Sequence, residues 1–209
     1  AASAWARAKR TEPACAALMA FRQKGGAVIL LSNAPGPSEQ VAEVIDAKRV
    51  PRGSWDALVT SGDVTKALIA DSHHRKVFHI GWQSDRAVFE GADVELVDED
   101  EADLVVATEL NDYRTETPEQ YRPLLERFAT RGVPFICGNP DLVVHVGERL
   151  LPCAGALATI YEQLGGSVAW AGKPYRPAYD LALEAARRAR GGHPVDPAKV
   201  LVIGDAVRT

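Results

Sequence analysis

The chain has 209 residues and is poor in the residues that covalent staples and metal sites use. Its three cysteines, Cys15, Cys137 and Cys153, are odd in number and far apart, so they make neither a disulfide framework nor a CxxC motif. They read as buried thiols in a reducing cytoplasm. The five histidines, at 73, 74, 79, 145 and 193, show no HExxH or comparable ligand spacing. No apolar run approaches the roughly 18 residues of a membrane span, which argues against a membrane partner. There is no basic surplus: 24 Lys and Arg stand against 28 Asp and Glu, a net charge of −4, which argues against nucleic acid as a partner. No GxGxxG follows any apolar run, so the signature of a dinucleotide-binding oxidoreductase is missing. A P-loop at Gly172-Lys173 fails twice, because Ser167 stands where the first glycine belongs and Pro174 where Ser or Thr belongs.

What is present is ordinary globular material, 46% hydrophobic and 25% charged. A chain of this size can bury a core without disulfides or metals. Apolar runs predict strands at Ala27–Leu31, Ala57–Thr60, Lys76–Ile80, Asp93–Val97, Leu104–Ala107, Val133–Cys137 and Val200–Ile203. Ala27–Leu31 is continuously apolar, as in a parallel strand buried on both faces. Periodic segments predict helices at Glu12–Lys24, Pro37–Lys48, Gly62–Ala70, Pro118–Thr130, Ala154–Leu164 and Tyr175–Arg190. Alternating strands and helices predict an α/β fold with a largely parallel sheet. The acidic run Asp98–Glu101 reads as a solvated turn, since four consecutive carboxylates cannot all face one ion.

Ligands of open α/β sheets bind beyond the carboxyl ends of the strands. Three polar residues stand at such places. Ser32-Asn33 follows the Ala27–Leu31 run, where a hydroxyl and an amide can bond an anion or simply enter a turn. Lys173, between Gly172 and Pro174, can neutralise a phosphate on the turn before a helix. Asp205 ends the Val200–Ile203 run and is either a turn residue or a ligand for a hard cation such as Mg²⁺.

Hydroxyl, lysine and aspartate in that order resemble the phosphate and Mg²⁺ constellation of the haloacid dehalogenase superfamily of phosphohydrolases, in its NagD-like, para-nitrophenyl-phosphatase-like branch. The stretches that carry the resemblance are LLSNAPGPSEQV (30–41), ALVTSGDVT (57–65), FICGNPDLVV (135–144), LPCAGALATIYEQLGG (151–166), AGKPYRPAYDLAL (171–183) and VLVIGDAVRT (200–209). The resemblance implies a Rossmann-like core at 1–70 and 148–209 with an α/β cap inserted at 71–147. It implies that Ser32 binds the transferring phosphoryl group with Asn33 beside it, and that Lys173 offsets charge on nucleophile and phosphate. It further implies that Asp205 helps hold Mg²⁺, and that Gly138-Asn139-Pro140-Asp141 is a cap loop at the substrate. The implied partner is a small phosphorylated metabolite, and homodimers formed through the cap occur in this branch.

One departure matters chemically. The family's first motif is an Asp-x-Asp at the end of a strand, whose first Asp attacks phosphorus; here Ala1–Gly26, the stretch before the Ser32 strand, contains no Asp. The chain also stops at Thr209, one residue before a second Asp of the family's Gly-Asp-x-x-x-Thr-Asp pattern. The expectation is a fragment of a longer phosphatase, with the Val28 and Val200 strands either left with exposed edges or paired together. A non-catalytic phosphate-binding or partner-binding protein of the same fold is the alternative reading.

Overall fold

The computed structural model describes residues 12–146 and 149–204. Asp205, the expected metal ligand, lies outside the described residues. Three sheets are present among them. The first pairs β1 (Ile29–Ser32) in parallel with β2 (Ala57–Thr60), Ser32 opposite Thr60. Helix α2 (Ser38–Ala47) covers this pair, with Val41 and Ile45 packed on Leu30 and Leu58. Helix α1 (Glu12–Gln23) precedes it and buries no residue fully, because it meets chiefly the turn at Arg52–Ser54.

The second sheet has five parallel strands, in the order β4 (Glu95–Leu96), β3 (Lys76–Ile80), β5 (Leu104–Ala107), β6 (Phe135–Cys137) and β9 (Val168–Trp170). Its central strand shows why a continuous apolar run was needed. Val105 and Ala107 face helices α4 (Arg122–Thr130) and α5 (Ala154–Gln163), packing with Leu125, Phe128, Leu157 and Tyr161. Leu104 and Val106 face the other way, toward Val64 and Ile69 of α3 (Ser61–Asp71) and Ala178 of α6 (Arg176–Ala189). Side chains alternate across a strand, so a sheet covered on both faces needs apolar residues at every position. Helices α3 and α6 also touch β2, and so join the two sheets. The third sheet is a hairpin of β7 (Val143–Val146) and β8 (Arg149–Pro152).

Helix α3 begins with a capping box: Thr60 accepts from the Asp63 N–H at 3.1 Å, and Asp63 accepts from the Thr60 N–H at 2.9 Å. Thr60→Ala is expected to cost about 1 kcal/mol in a urea melt.

Three expectations are corrected. Val200–Ile203 is not a strand; Leu201 and Ile203 are 81% and 82% exposed, since no described strand supplies the ladder that would bury them. It therefore does not pair with β1, whose residues Ile29–Leu31 are only half-buried beside their single neighbour β2. The boundary expected at 147/148 runs through one packed unit. Strand β9 bonds to β6, and α5 packs under β5 and β6, so 149–170 sits with the five-stranded sheet rather than with β1 and β2. The hairpin and β9 went unpredicted; one has exposed alternate residues and the other is only three residues long.

Candidate active site

The carboxyl end of β1 meets the carboxyl ends of β5, β6 and β9 at a few buried polar side chains. Ser32 is buried, and its Oγ accepts from the Ala34 N–H at 3.1 Å, which leaves the hydroxyl proton for an anion. Asn33, also buried, grips the turn after β9 on both sides of one residue. Its Oδ1 accepts from the Lys173 N–H at 2.8 Å, and its Nδ2 donates to the Lys173 carbonyl at 3.0 Å. These two residues are 140 positions apart in the chain. The turn can come this close because position 172 is glycine: a Cβ there would stand 2.6 Å from Asn33 Oδ1 and 2.7 Å from Pro140 Cδ.

Asn33 Nδ2 also donates to Asp141 Oδ1 at 3.0 Å. Asp141 belongs to the loop after β6, where its N–H bonds to Asn139 Oδ1 at 3.2 Å. Ser32, Asn33, Lys173, Asn139 and Asp141 are thus brought to one place by three strand ends. Among the described residues the Lys173 ammonium has no carboxylate partner, so its charge is available to a ligand.

Two groups at the same end of the large sheet escaped the sequence reading. Glu109 follows β5 and accepts from Asn139 Nδ2 at 2.7 Å. Part of Glu109 reaches the surface, but its carboxyl is packed among other atoms. This desolvation, with Asp85 and Asp141 nearby, pushes its pKa up to about 8 against the bonds from Asn139 and Cys153. The second group joins β3 to β5. His79 Nε2 lies 2.9 Å from Thr108 Oγ1, and Thr108 Oγ1 lies 3.1 Å from Asp85 Oδ2. Burial, with Arg86 nearby, lowers the His79 pKa to about 4, so the imidazole is neutral. With one hydroxyl proton at Thr108, the arrangement that satisfies all three is His79 donating to Thr108 and Thr108 donating to Asp85. Burial also raises the Asp85 carboxyl above the usual range. The rule that found Ser32, a polar residue after an apolar strand, applies equally to Thr108-Glu109 after Leu104–Ala107 and would have found them.

Such a site, on parallel strand ends and with an anion-ready hydroxyl and lysine, defines an α/β enzyme fold with a polar ligand site at the strand tips. The family model for haloacid dehalogenase-like hydrolase matches residues 5–95. The crystal structure of a hydrolase of the haloacid dehalogenase-like family from Brucella suis 1330 is 50% identical, with a TM-score of 0.90 over 96% of this chain and 76% of that one. NagD from E. coli K-12 is 22% identical, with a TM-score of 0.67 over 86% of this chain and 69% of that one. A p-nitrophenyl phosphatase from Archaeoglobus fulgidus is 24% identical, with a TM-score of 0.65 over 83% of this chain and 66% of that one. No curated protein matches. The chain belongs to the haloacid dehalogenase-like hydrolase family and has the fold of the NagD-like structures.

Proposed function

We propose that this protein binds phosphate monoesters of small metabolites at the tip of β1, in the service of phosphoryl transfer to water. The observation that carries the reading is the pair of hydrogen bonds between Asn33 and the Lys173 backbone, which ties the turn bearing this lysine to the residue after the buried Ser32. Phosphoryl transfer asks mainly for positioning and charge neutralisation, and these residues offer both. Ser32 would bond a phosphoryl oxygen and Lys173 would neutralise it, while Asn139 and Asp141 would face the rest of the substrate. The five-stranded sheet with α4 and α5, within 72–171, would form the inserted cap, its edge moved to include β9.

The family chemistry passes through an aspartyl phosphate, and no Asp-x-Asp stands before β1 in these 209 residues. The proposed ion is Mg²⁺, with Asp205 as its ligand. Among the described residues no group of three His, Cys, Asp or Glu side chains could hold a metal, so they do not by themselves make its site and no step is assigned to it.

Phosphate release from para-nitrophenyl phosphate, with and without Mg²⁺, separates turnover from binding. In the same samples a non-hydrolysed ester at 100 times its Kd should stabilise the fold by about 2.7 kcal/mol. Lys173→Ala is expected to abolish that shift; an unchanged shift would place the ligand elsewhere.

A further inference from the structure

We propose that Glu109 is a positioning residue for Lys173, acting through Asn139, Asp141 and Asn33. The inference rests on the phosphate-binding reading above and adds a group that no motif assigns. Each link fixes the orientation of the next. Glu109 Oε1 accepts a hydrogen bond from Asn139 Nδ2 at 2.7 Å, which commits the amide to one of its two orientations. Asn139 Oδ1 is then left to accept the Asp141 N–H at 3.2 Å. Asp141, so placed, offers Oδ1 to Asn33 Nδ2 at 3.0 Å. Asn33 cannot turn over either, because Nδ2 faces two acceptors while Oδ1 faces the Lys173 N–H.

Take away the Glu109 acceptor and the Asn139 amide loses what orients it. In the reversed orientation it would set an NH₂ against the Asp141 N–H, two donors face to face. Asn139 is 5% exposed and Asn33 7%, so water has little access to make good the loss. The link survives a change in Glu109 protonation, since a carboxylic acid still accepts through its carbonyl oxygen. Burial that holds the group neutral to about pH 8 therefore leaves the chain of bonds intact.

Calorimetric titration with inorganic phosphate, beside thermal melts, tests this. Glu109→Gln keeps an acceptor and should bind within about twofold of wild type, whereas Glu109→Ala should bind about tenfold more weakly. Above pH 8, where Glu109 is ionised, Asn139→Asp sets two carboxylates against each other and should weaken binding about as much. Adding Glu109→Gln to Asn139→Asp should restore affinity to within about threefold, because the glutamine amide then donates to the new carboxylate. A Glu109→Ala protein that melts lower yet binds phosphate like wild type would overturn the inference, for packing alone would explain the residue. If Glu109→Ala does not fold, failure of the double variant to recover the loss seen in Asn139→Asp overturns it equally. Lys173→Ala separates the two levels. Unchanged affinity there defeats the phosphate-site reading itself; lost affinity there, with none lost in Glu109→Ala, defeats only the relay.

Discussion

Gly155→Ala should both destabilise the protein and loosen its phosphate site. Gly155 lies in the first turn of α5, and a Cβ there would stand 2.4 Å from the Pro140 carbonyl oxygen and 2.6 Å from that of Asp141. Both neighbours are backbone, so no flexible side chain can swing aside. Either α5, which packs Leu157 and Tyr161 into the main core, must shift, or the 139–141 loop must. Overpacking of this kind costs about 1–3 kcal/mol, set against a gain of roughly 1 kcal/mol for alanine over glycine in a helix. The loop carries Asn139 and Asp141, the links from Glu109 to Asn33. Phosphate affinity should therefore fall by on the order of tenfold or more, beyond what the melt explains. Gly53→Ala is the control, for its Cβ would meet only Met19 Cε, at an ordinary 3.7 Å. Urea melts and phosphate titrations on both variants decide the matter; wild-type affinity in Gly155→Ala would show that the clash is relieved without disturbing the site.

The second large effect is on the pH profile of stability. Glu109 rises from 4.5 when unfolded to about 8 when folded, so the native state holds a proton that the unfolded state releases. That contribution is complete below pH 4.5 and is lost as pH climbs through 8. Over the stretch from pH 6.5 to 8 the loss is about 2 kcal/mol. His79 works in the opposite direction. Its folded pKa of about 4, against 6.5 unfolded, gives stability present above pH 6.5 and lost as pH falls through 4. Melting temperature should accordingly peak on the mildly acidic side and decline toward pH 8. In Glu109→Gln the decline above pH 6.5 should flatten, while the acid-side fall set by His79 stays. An equal decline in Glu109→Gln would assign it to other groups.

Sequence reading reached the elements whose local signal is strong. Ala57–Thr60, Lys76–Ile80 and Leu104–Ala107 have the predicted bounds, since an apolar run with polar edges leaves few other choices. Val200–Ile203 carries the same signal without becoming a strand, because strand formation requires a hydrogen-bonded neighbour as well as an apolar run. Ser32, Asn33, Asn139, Asp141 and Lys173 were singled out from motifs, but their mutual bonds were not. Asn33 and Lys173 are adjacent only because α3 and α6 hold the two sheets together. The place of Glu109 just after the Leu104–Ala107 run was legible in the sequence, but its bond to Asn139 is a property of the folded neighbourhood.

The order of apolar runs and punctuating glycines determined by itself that this is an α/β protein with parallel strands, and the residue types at the strand tips pointed to an anion. Tertiary structure decided which sheet each strand joined, and so moved 149–170 into the unit built on β3, β5 and β6. It also decided how Glu109 and His79 ionise. The reason is physical: side-chain alternation and turn preference act over a few residues and are written locally. Strand partnership, desolvation and close backbone contact arise between segments set apart along the chain, by 30 positions from Glu109 to Asn139 and by 140 from Asn33 to Lys173.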